Sequence, residues 1–233
     1  MERCSLRRFW AAGVIVLVAV VVMLRAAWPV PRKVPPQPAP QAQQQTSIQT
    51  PTPPQAPPQL PRTEKKARDY FPLTKGSTWE YQGAGNEYAS FRREVLFSKD
   101  DLAQILEDNG GTVIAAIFKS TNTAVTRVFS RPETYDRTSL LDQPPSENTV
   151  ILSTPLAVGT KWNSGGVERE IVAVDATVDS PAGKFVNCIK VRIPGNDSTV
   201  FEYFAEGVGM VKREFISGEA RVISTLKRFT IRK

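Results

Sequence analysis

Two hydropathy patterns divide the chain. Near the N-terminus, Phe9 to Leu24 is an unbroken run of sixteen uncharged residues, FWAAGVIVLVAVVVML. From Thr78 onward the period changes to two, which is the spacing of a strand with one buried face. Trp79 and Tyr81 alternate with Thr78, Glu80 and Gln82. Phe91, Arg93, Val95 and Phe97 share one side of the next run, and Val125, Arg127 and Phe129 repeat the pattern. Ala103–Glu107 and Thr112–Lys119 flank Asp108-Asn109-Gly110-Gly111, where Asn-Gly supplies the positive φ of a tight hairpin turn. Glu168–Val178 and Phe185–Ile193 are joined through Ser180-Pro181-Ala182-Gly183, a sequence that suits a type I turn. Val200–Ala205 and Met210–Phe215 flank Gly207-Val208-Gly209, and Val222–Ile231 closes the series. Asp100–Leu106 is the one segment that also reads as a helix, and alternation explains it equally well.

A motif recurs inside this region. Pro72-Leu73-x-x-Gly76-Ser77-x-Trp79 returns 83 residues later as Pro155-Leu156-x-x-Gly159-Thr160-x-Trp162. Each copy precedes a turn and then a charged-then-apolar strand, Phe91–Phe97 in the first case and Glu168–Val174 in the second. Pro-Leu-x-x-Gly reads as a bend that starts a strand, with the tryptophan as its first large core residue. Two copies point to two similar half-sheets in one domain.

The apolar run reads as a membrane span. Extended to Ala27 it covers 9–27, nineteen residues, a helix of roughly 28 Å against a hydrocarbon core of about 30 Å. Arg3, Arg7 and Arg8 precede it, and Trp10 and Trp28 bracket it as interfacial aromatics do. Residues 1–8 are then a cytoplasmic head and the rest lies outside the cytoplasm. The alternative is a secreted protein released by signal-peptide cleavage, but a cut after Ala27 or Ala26 puts Arg25 or Leu24 at the third position before it. Lipid attachment needs a cysteine after the run, and Cys4 lies before it.

Composition separates the span from the strands. Residues 28–68 form a linker, and Pro29 to Pro61 holds twelve prolines and eight glutamines, too few apolar groups to offset the entropy of folding. Such a spacer favours extended polyproline II. Residues 69–233 are left as one soluble domain, large enough to bury a core without disulfides or metals. The formal net charge of +7 belongs to the membrane-proximal part: ten Lys/Arg against two acidic residues up to Arg68, then 20 against 21. A domain without excess positive charge is not expected to bind nucleic acid. The two cysteines, Cys4 and Cys188, fall on opposite sides of the span and cannot pair within the chain.

The residues Tyr70-Phe71-Pro72-Leu73…Gly76…Trp79, Pro181-Ala182-Gly183-x-Phe185-x-x-Cys188-x-Lys190-Val191 and Tyr203-Phe204-Ala205-x-Gly207-Val208-Gly209-x-Val211-Lys212 resemble a family of uncharacterised bacterial extracytoplasmic domains, often carried on lipoproteins or anchored proteins. The resemblance spans about residues 70–229. It implies a curved antiparallel β-sheet similar to lipoprotein-carrier half-barrels, and it brings no catalytic residues.

Catalytic chemistry is hard to place. There is no histidine, which removes Ser-His-Asp and Cys-His catalysis and the usual zinc sites. Gly83-Ala84-Gly85 and Gly207-Val208-Gly209 lack the third glycine and the βα setting of a dinucleotide loop. Glu168 and Glu170 share a strand face and read as a solvated pair rather than a general acid and base. No run matches a calcium loop, and Asn196-Asp197-Ser198 is a glycosylation sequon without meaning in a bacterial envelope. Cys188 is either a small buried hydrophobe or an exposed thiol able to pair between chains. No catalytic, cofactor-binding or metal-binding residue is assigned, and no cofactor is expected.

The sequence therefore predicts an all-β domain, a curved antiparallel sheet of half-barrel type, anchored in the lipid bilayer through residues 9–27. The expected role is a monomeric, non-enzymatic envelope module that binds an envelope protein or wall polymer. The alternative is a carrier or sensor holding an apolar, lipid-like ligand in the concave face. Protease added outside spheroplasts should release a folded fragment that begins between residues 29 and 68. Protection until the cytoplasmic membrane is breached would reverse the orientation.

Overall fold

The computed structural model describes residues 64–233. The expected cytoplasmic head, the expected span 9–27 and the expected linker up to residue 63 lie outside the described residues. Two runs of six strands make up the domain. The first run is β1 (Thr78–Ala84), β2 (Phe91–Lys99), β3 (Leu102–Asp108), β4 (Val113–Ser120), β5 (Ala124–Arg131) and β6 (Thr149–Ser153). The second is β7 (Lys161–Ser164), β8 (Val167–Ser180), β9 (Gly183–Pro194), β10 (Thr199–Ala205), β11 (Gly209–Ser217) and β12 (Ala220–Thr230). All twelve join one antiparallel sheet in the order β6-β5-β4-β3-β2-β1-β12-β11-β10-β9-β8-β7. The chain enters in the middle of the sheet, walks to one edge, crosses to the other edge and walks back.

That crossing brings the edges together. β6 and β7 are consecutive in the chain and form no backbone ladder among the described residues. A side chain spans the seam instead: the Trp162 indole on β7 donates to the Val150 carbonyl on β6 at 3.1 Å. The expected half-barrel is thus a nearly closed barrel. The seam left between β6 and β7 is covered by an aromatic ring, which protects two short edge strands from pairing with other chains.

The internal echo is a repeat in geometry as well as in sequence. Gly76 and Gly159 adopt φ of +84° and +86°, which a side chain would resist. In the first copy the Gly76 amide donates to Val95 O at 2.8 Å, Val95 N to Ser77 O at 2.9 Å and Ser77 N to Thr74 O at 3.1 Å. In the second, Gly159 N donates to Ile171 O at 2.8 Å, Ile171 N to Thr160 O at 2.9 Å and Thr160 N to Ala157 O at 3.1 Å. The bend therefore locks the first strand of each half onto the second. The two halves share one continuous sheet rather than packing as separate sheets.

Connections alternate between the two ends of the barrel, and one end is stoppered. Ala67–Tyr70 form a single 3₁₀ turn that lies across it. Ala67 N donates to Asn122 O in the β4–β5 turn at 2.8 Å, and Gly207 N in the β10–β11 turn donates to Asp69 O at 2.7 Å. Tyr70 and Ala67 are fully buried. The Phe71 ring reaches in between Phe118 and Phe204, with centroids 5.1 and 6.3 Å away. The Tyr70 hydroxyl donates to Glu206 at 3.2 Å, and burial raises its pKa. The chain thus passes into the domain at this plugged end.

Two departures from the alternation have local causes. Phe97 was expected beside Phe91 and Val95, but a bulge between Val95 and Phe97 turns it outward. There it joins a second apolar cluster of Leu96, Leu106, Ala115 and Ile117, which Leu140 of the long 132–148 loop covers. Buried Gln104 holds that loop, donating to Thr138 O at 3.0 Å and accepting from Leu140 N at 2.7 Å. On β9, Asn187 has φ of +54° and interrupts the period, so adjacent Cys188 and Ile189 are both fully buried. Cys188 is a free buried thiol, pushed up to about 11 by desolvation, which decides for the hydrophobe over the exposed thiol. The ambiguous Asp100–Leu106 segment holds no helix and leads into β3.

The two repeat tryptophans carry different loads. Trp79 is 4 % exposed and donates to Val208 O at 2.7 Å, whereas Trp162 is half-buried at the seam. Denaturant unfolding should show Trp79→Ala losing about 3–5 kcal/mol. Trp162→Ala should lose about 1–2 kcal/mol and speed amide exchange in β6 and β7. Equal losses at the two positions would contradict the seam assignment.

Candidate functional site: a charged cavity at the open end of the barrel

Opposite the plug, the barrel holds a cavity of about 360 Å³. Its floor is apolar and belongs to the plug side: Phe71, Phe118, Phe204 and Met210. Its walls carry Ile151, Ile193 and Val200 together with Arg93, Arg127, Arg169, Arg213 and Glu202. The charged residues point inward because each stands in phase with core residues of its own strand. Arg93 lies between Phe91 and Val95, Glu202 between Val200 and Phe204, and Arg213 two residues after Val211.

The arginines follow the repeat. Arg93 stands two residues before Val95 and opposite Trp79; Arg169 stands two residues before Ile171 and opposite Trp162. Arg-Glu-Val at 93–95 thus matches Arg-Glu-Ile at 169–171. Arg127 and Arg213 lie on the fifth strand of their halves, each two residues after a fully buried valine, Val125 or Val211. Each half contributes two guanidiniums to one interior.

Their partners are unequal. Arg93 donates to its cross-strand neighbour Glu107 at 2.6 Å, and its side chain is only 12 % exposed. Burial pushes the Glu107 carboxyl up, but Arg93 and Arg213 outweigh it and hold it below its ordinary value of 4.5. Arg93 also lies 5.2 Å above the Phe91 ring and Arg213 lies 5.6 Å from it, so one aromatic face supports two cations. Arg127 pairs with Glu147 at 3.0 Å. Arg169 and Arg213 share Glu202, at 3.7 and 3.2 Å. Among the described residues the buried side-chain polar atoms without a hydrogen-bond partner are Ser164 Oγ, Arg169 Nε and Nη1, and Glu202 Oε2. Burial pulls the Arg169 pKa down.

The residues weighed in the sequence fall elsewhere. Glu168 and Glu170 flank Arg169 but face outward, paired with Lys161 at 2.9 Å and with Arg192. Both are solvated ion pairs, as expected for an exposed strand face. Gly207 and Gly209 serve the β10–β11 turn. Lys190 lies over the Phe201 and Tyr203 rings at 4.1 and 5.2 Å, on the outer face. The legible signal was the opposite of a motif: arginines at positions where the alternation calls for an apolar residue.

No protein-family model matches the chain, and no curated protein matches it. Two solved structures are similar. One, from Bacteroides fragilis, is described as an exported protein with a YmcC-like fold; it shares 13% identity over 69% of this chain and 98% of its own, with a TM-score of 0.42. The other, from Parabacteroides distasonis, is described as a lipoprotein; it shares 14% identity over 72% of this chain and 100% of its own, with a TM-score of 0.41.

The Arg93–Glu107 pair makes a prediction about acid. Glu107 has a folded pKa below its ordinary 4.5, so its contribution is complete above that value and is lost as pH falls through the lowered one. Melting temperature should drop below about pH 4.5. Glu107→Gln should cost about 2–3 kcal/mol at pH 7, less than a fully buried pair because the glutamate is partly exposed, and should flatten the acid limb. An unchanged acid limb in the variant would remove Glu107 from this role.

Proposed function

We propose that this chain is a membrane-anchored, non-enzymatic binding module of a bacterial cell envelope, and that its barrel takes a small amphipathic molecule into the open end. The observation that carries the reading is the cavity of about 360 Å³, with an apolar floor and a charged wall. That volume lies within the usual range for small-molecule sites, toward its lower end. A barrel stabilised for structure alone would fill this space with side chains, and buried charges would then be a cost without return. The plug supports the same reading. It closes the end at which residues 64–71 meet the barrel and leaves the opposite end open to a ligand.

Compared with the two roles expected from the sequence, the reading favours a small ligand over a protein or wall polymer. It also narrows the carrier alternative. The apolar space beneath the charged wall is short, so it suits a short chain or one segment of a longer one.

The test is a panel of hexyl amphiphiles with anionic, cationic or uncharged heads, titrated into the full chain in dodecyl maltoside, with protein-free micelles as blank. At least one should bind saturably at one site per chain. Val200→Trp, which fills the cavity from β10, should abolish that binding and leave the melting temperature near wild type. No saturable binding by any member, or binding that Val200→Trp leaves intact, contradicts the proposal.

A further inference from the structure

We infer that the cavity is an anion site: Arg169 and Arg213 receive a carboxylate or phosphate monoester head group, while the apolar residues beside them, Ile193 and Val200, take the attached chain. The inference rests on the ligand-binding reading above and adds the sign and position of the charge.

The repeat is broken beside these arginines. In the first half, the register that pairs Val95 with Ile105 and Glu94 with Leu106 sets Glu107 opposite Arg93. In the second half, the matching register pairs Ile171 with Val191 and Glu170 with Arg192. Continued by one step, that register sets Ile193 opposite Arg169, and both residues line the cavity. The position that supplies a carboxylate to Arg93 supplies a butyl group to Arg169. Both arginines are equally shielded, at 12 % side-chain exposure, yet only the first has a close acceptor.

Glu202 does not make up the difference. It is 10 % exposed, stands 3.2 Å from Arg213 Nε and 3.7 Å from Arg169 Nη1, and its Oε2 has no hydrogen bond. One carboxylate therefore faces two guanidiniums, while Arg93 and Arg127 have carboxylates of their own. Water in the cavity can accept the N–H groups of Arg169, but it cannot balance the remaining positive charge. A shielded guanidinium without an acceptor is costly, and planar guanidinium groups favour carboxylate and phosphate oxygens as acceptors. The adjoining side chains, Ile193 and Val200, make the acceptor's other end apolar.

Calorimetry on the full chain in dodecyl maltoside tests this with hexyl phosphate, hexanoate, hexanol, hexyltrimethylammonium and inorganic phosphate. Hexyl phosphate or hexanoate should bind at least about tenfold more tightly than hexanol, since a charge-assisted hydrogen bond is worth about 1.5–3 kcal/mol and 1.4 kcal/mol is tenfold. Arg169→Gln should reduce that affinity to the level of hexanol. Ile193→Glu should do the same by installing the carboxylate that the first half has, and it keeps a check available if Arg169→Gln does not fold. Inorganic phosphate separates two sources. Affinity within about tenfold of hexyl phosphate assigns the site to a free anion; weaker binding assigns it to an amphiphile's head group. Hexanol or the ammonium binding as tightly as the anions, or both variants binding hexyl phosphate like wild type, overturns the inference while leaving an uncharged or cationic ligand in the cavity. Saturable binding by no probe defeats the cavity reading and the inference together.

Discussion

A sheet of twelve strands curled into a nearly closed barrel encloses more volume than its own inward side chains can fill; about eight strands is the size at which side chains alone suffice. Everything else in the domain answers that constraint. At one end the chain's own approach segment fills the excess, with Phe71 wedged between Phe118 and Phe204. At the other end the excess is kept as a cavity, and charge keeps it open. Arginines and glutamates that need each other and water cannot collapse into a dry core without leaving charges unpaired. The ion pairs inside this barrel are therefore better read as maintaining a space than as adding stability, since buried pairs seldom repay their desolvation.

The two halves meet the constraint unequally, and their differences carry the interest. One junction between halves, β12 with β1, is a full antiparallel ladder from Thr78–Thr230 to Ala84–Ile223. The other, β6 with β7, is bridged by one indole. The same asymmetry reappears in the interior. Arg93 has Glu107, whereas Arg169 lines the cavity with Ile193 and shares Glu202 with Arg213. A repeat that conserved its charge pairing would have made an electrically quiet interior. This one leaves a guanidinium waiting for an acceptor on the side of the second half.

Much of the fold was legible because alternation and turn chemistry are local. Asn109 and Gly110 form the β3–β4 turn their residue types demand, with Asn109 Oδ1 accepting from Gly111 N and Thr112 N. The Pro-Leu-x-x-Gly motif announced a repeated bend, and both copies make the same hydrogen bonds. Closure was not legible, because it depends on where short β6 and β7 meet after a crossing that no local pattern encodes. Phe97 was misplaced because a bulge shifts the period by one residue without a sequence mark. The candidate site was the least readable part. Arg93 and Arg127 stood visibly in phase with apolar residues, but whether an in-phase arginine is buried depends on what lies opposite. Glu202 and Arg213 meet Arg169 only after β8, β10 and β11 are laid side by side.

The central claim is that the open end of the barrel is an anion-accepting cavity rather than a self-neutralised polar core. A crystal structure grown with hexyl phosphate tests it most directly. The account predicts phosphoryl oxygens within hydrogen-bonding distance of both Arg169 and Arg213, with the hexyl chain against Ile193 and Val200. A cavity occupied only by ordered water, with Glu202 bridging the two guanidiniums at hydrogen-bonding distance, would contradict it.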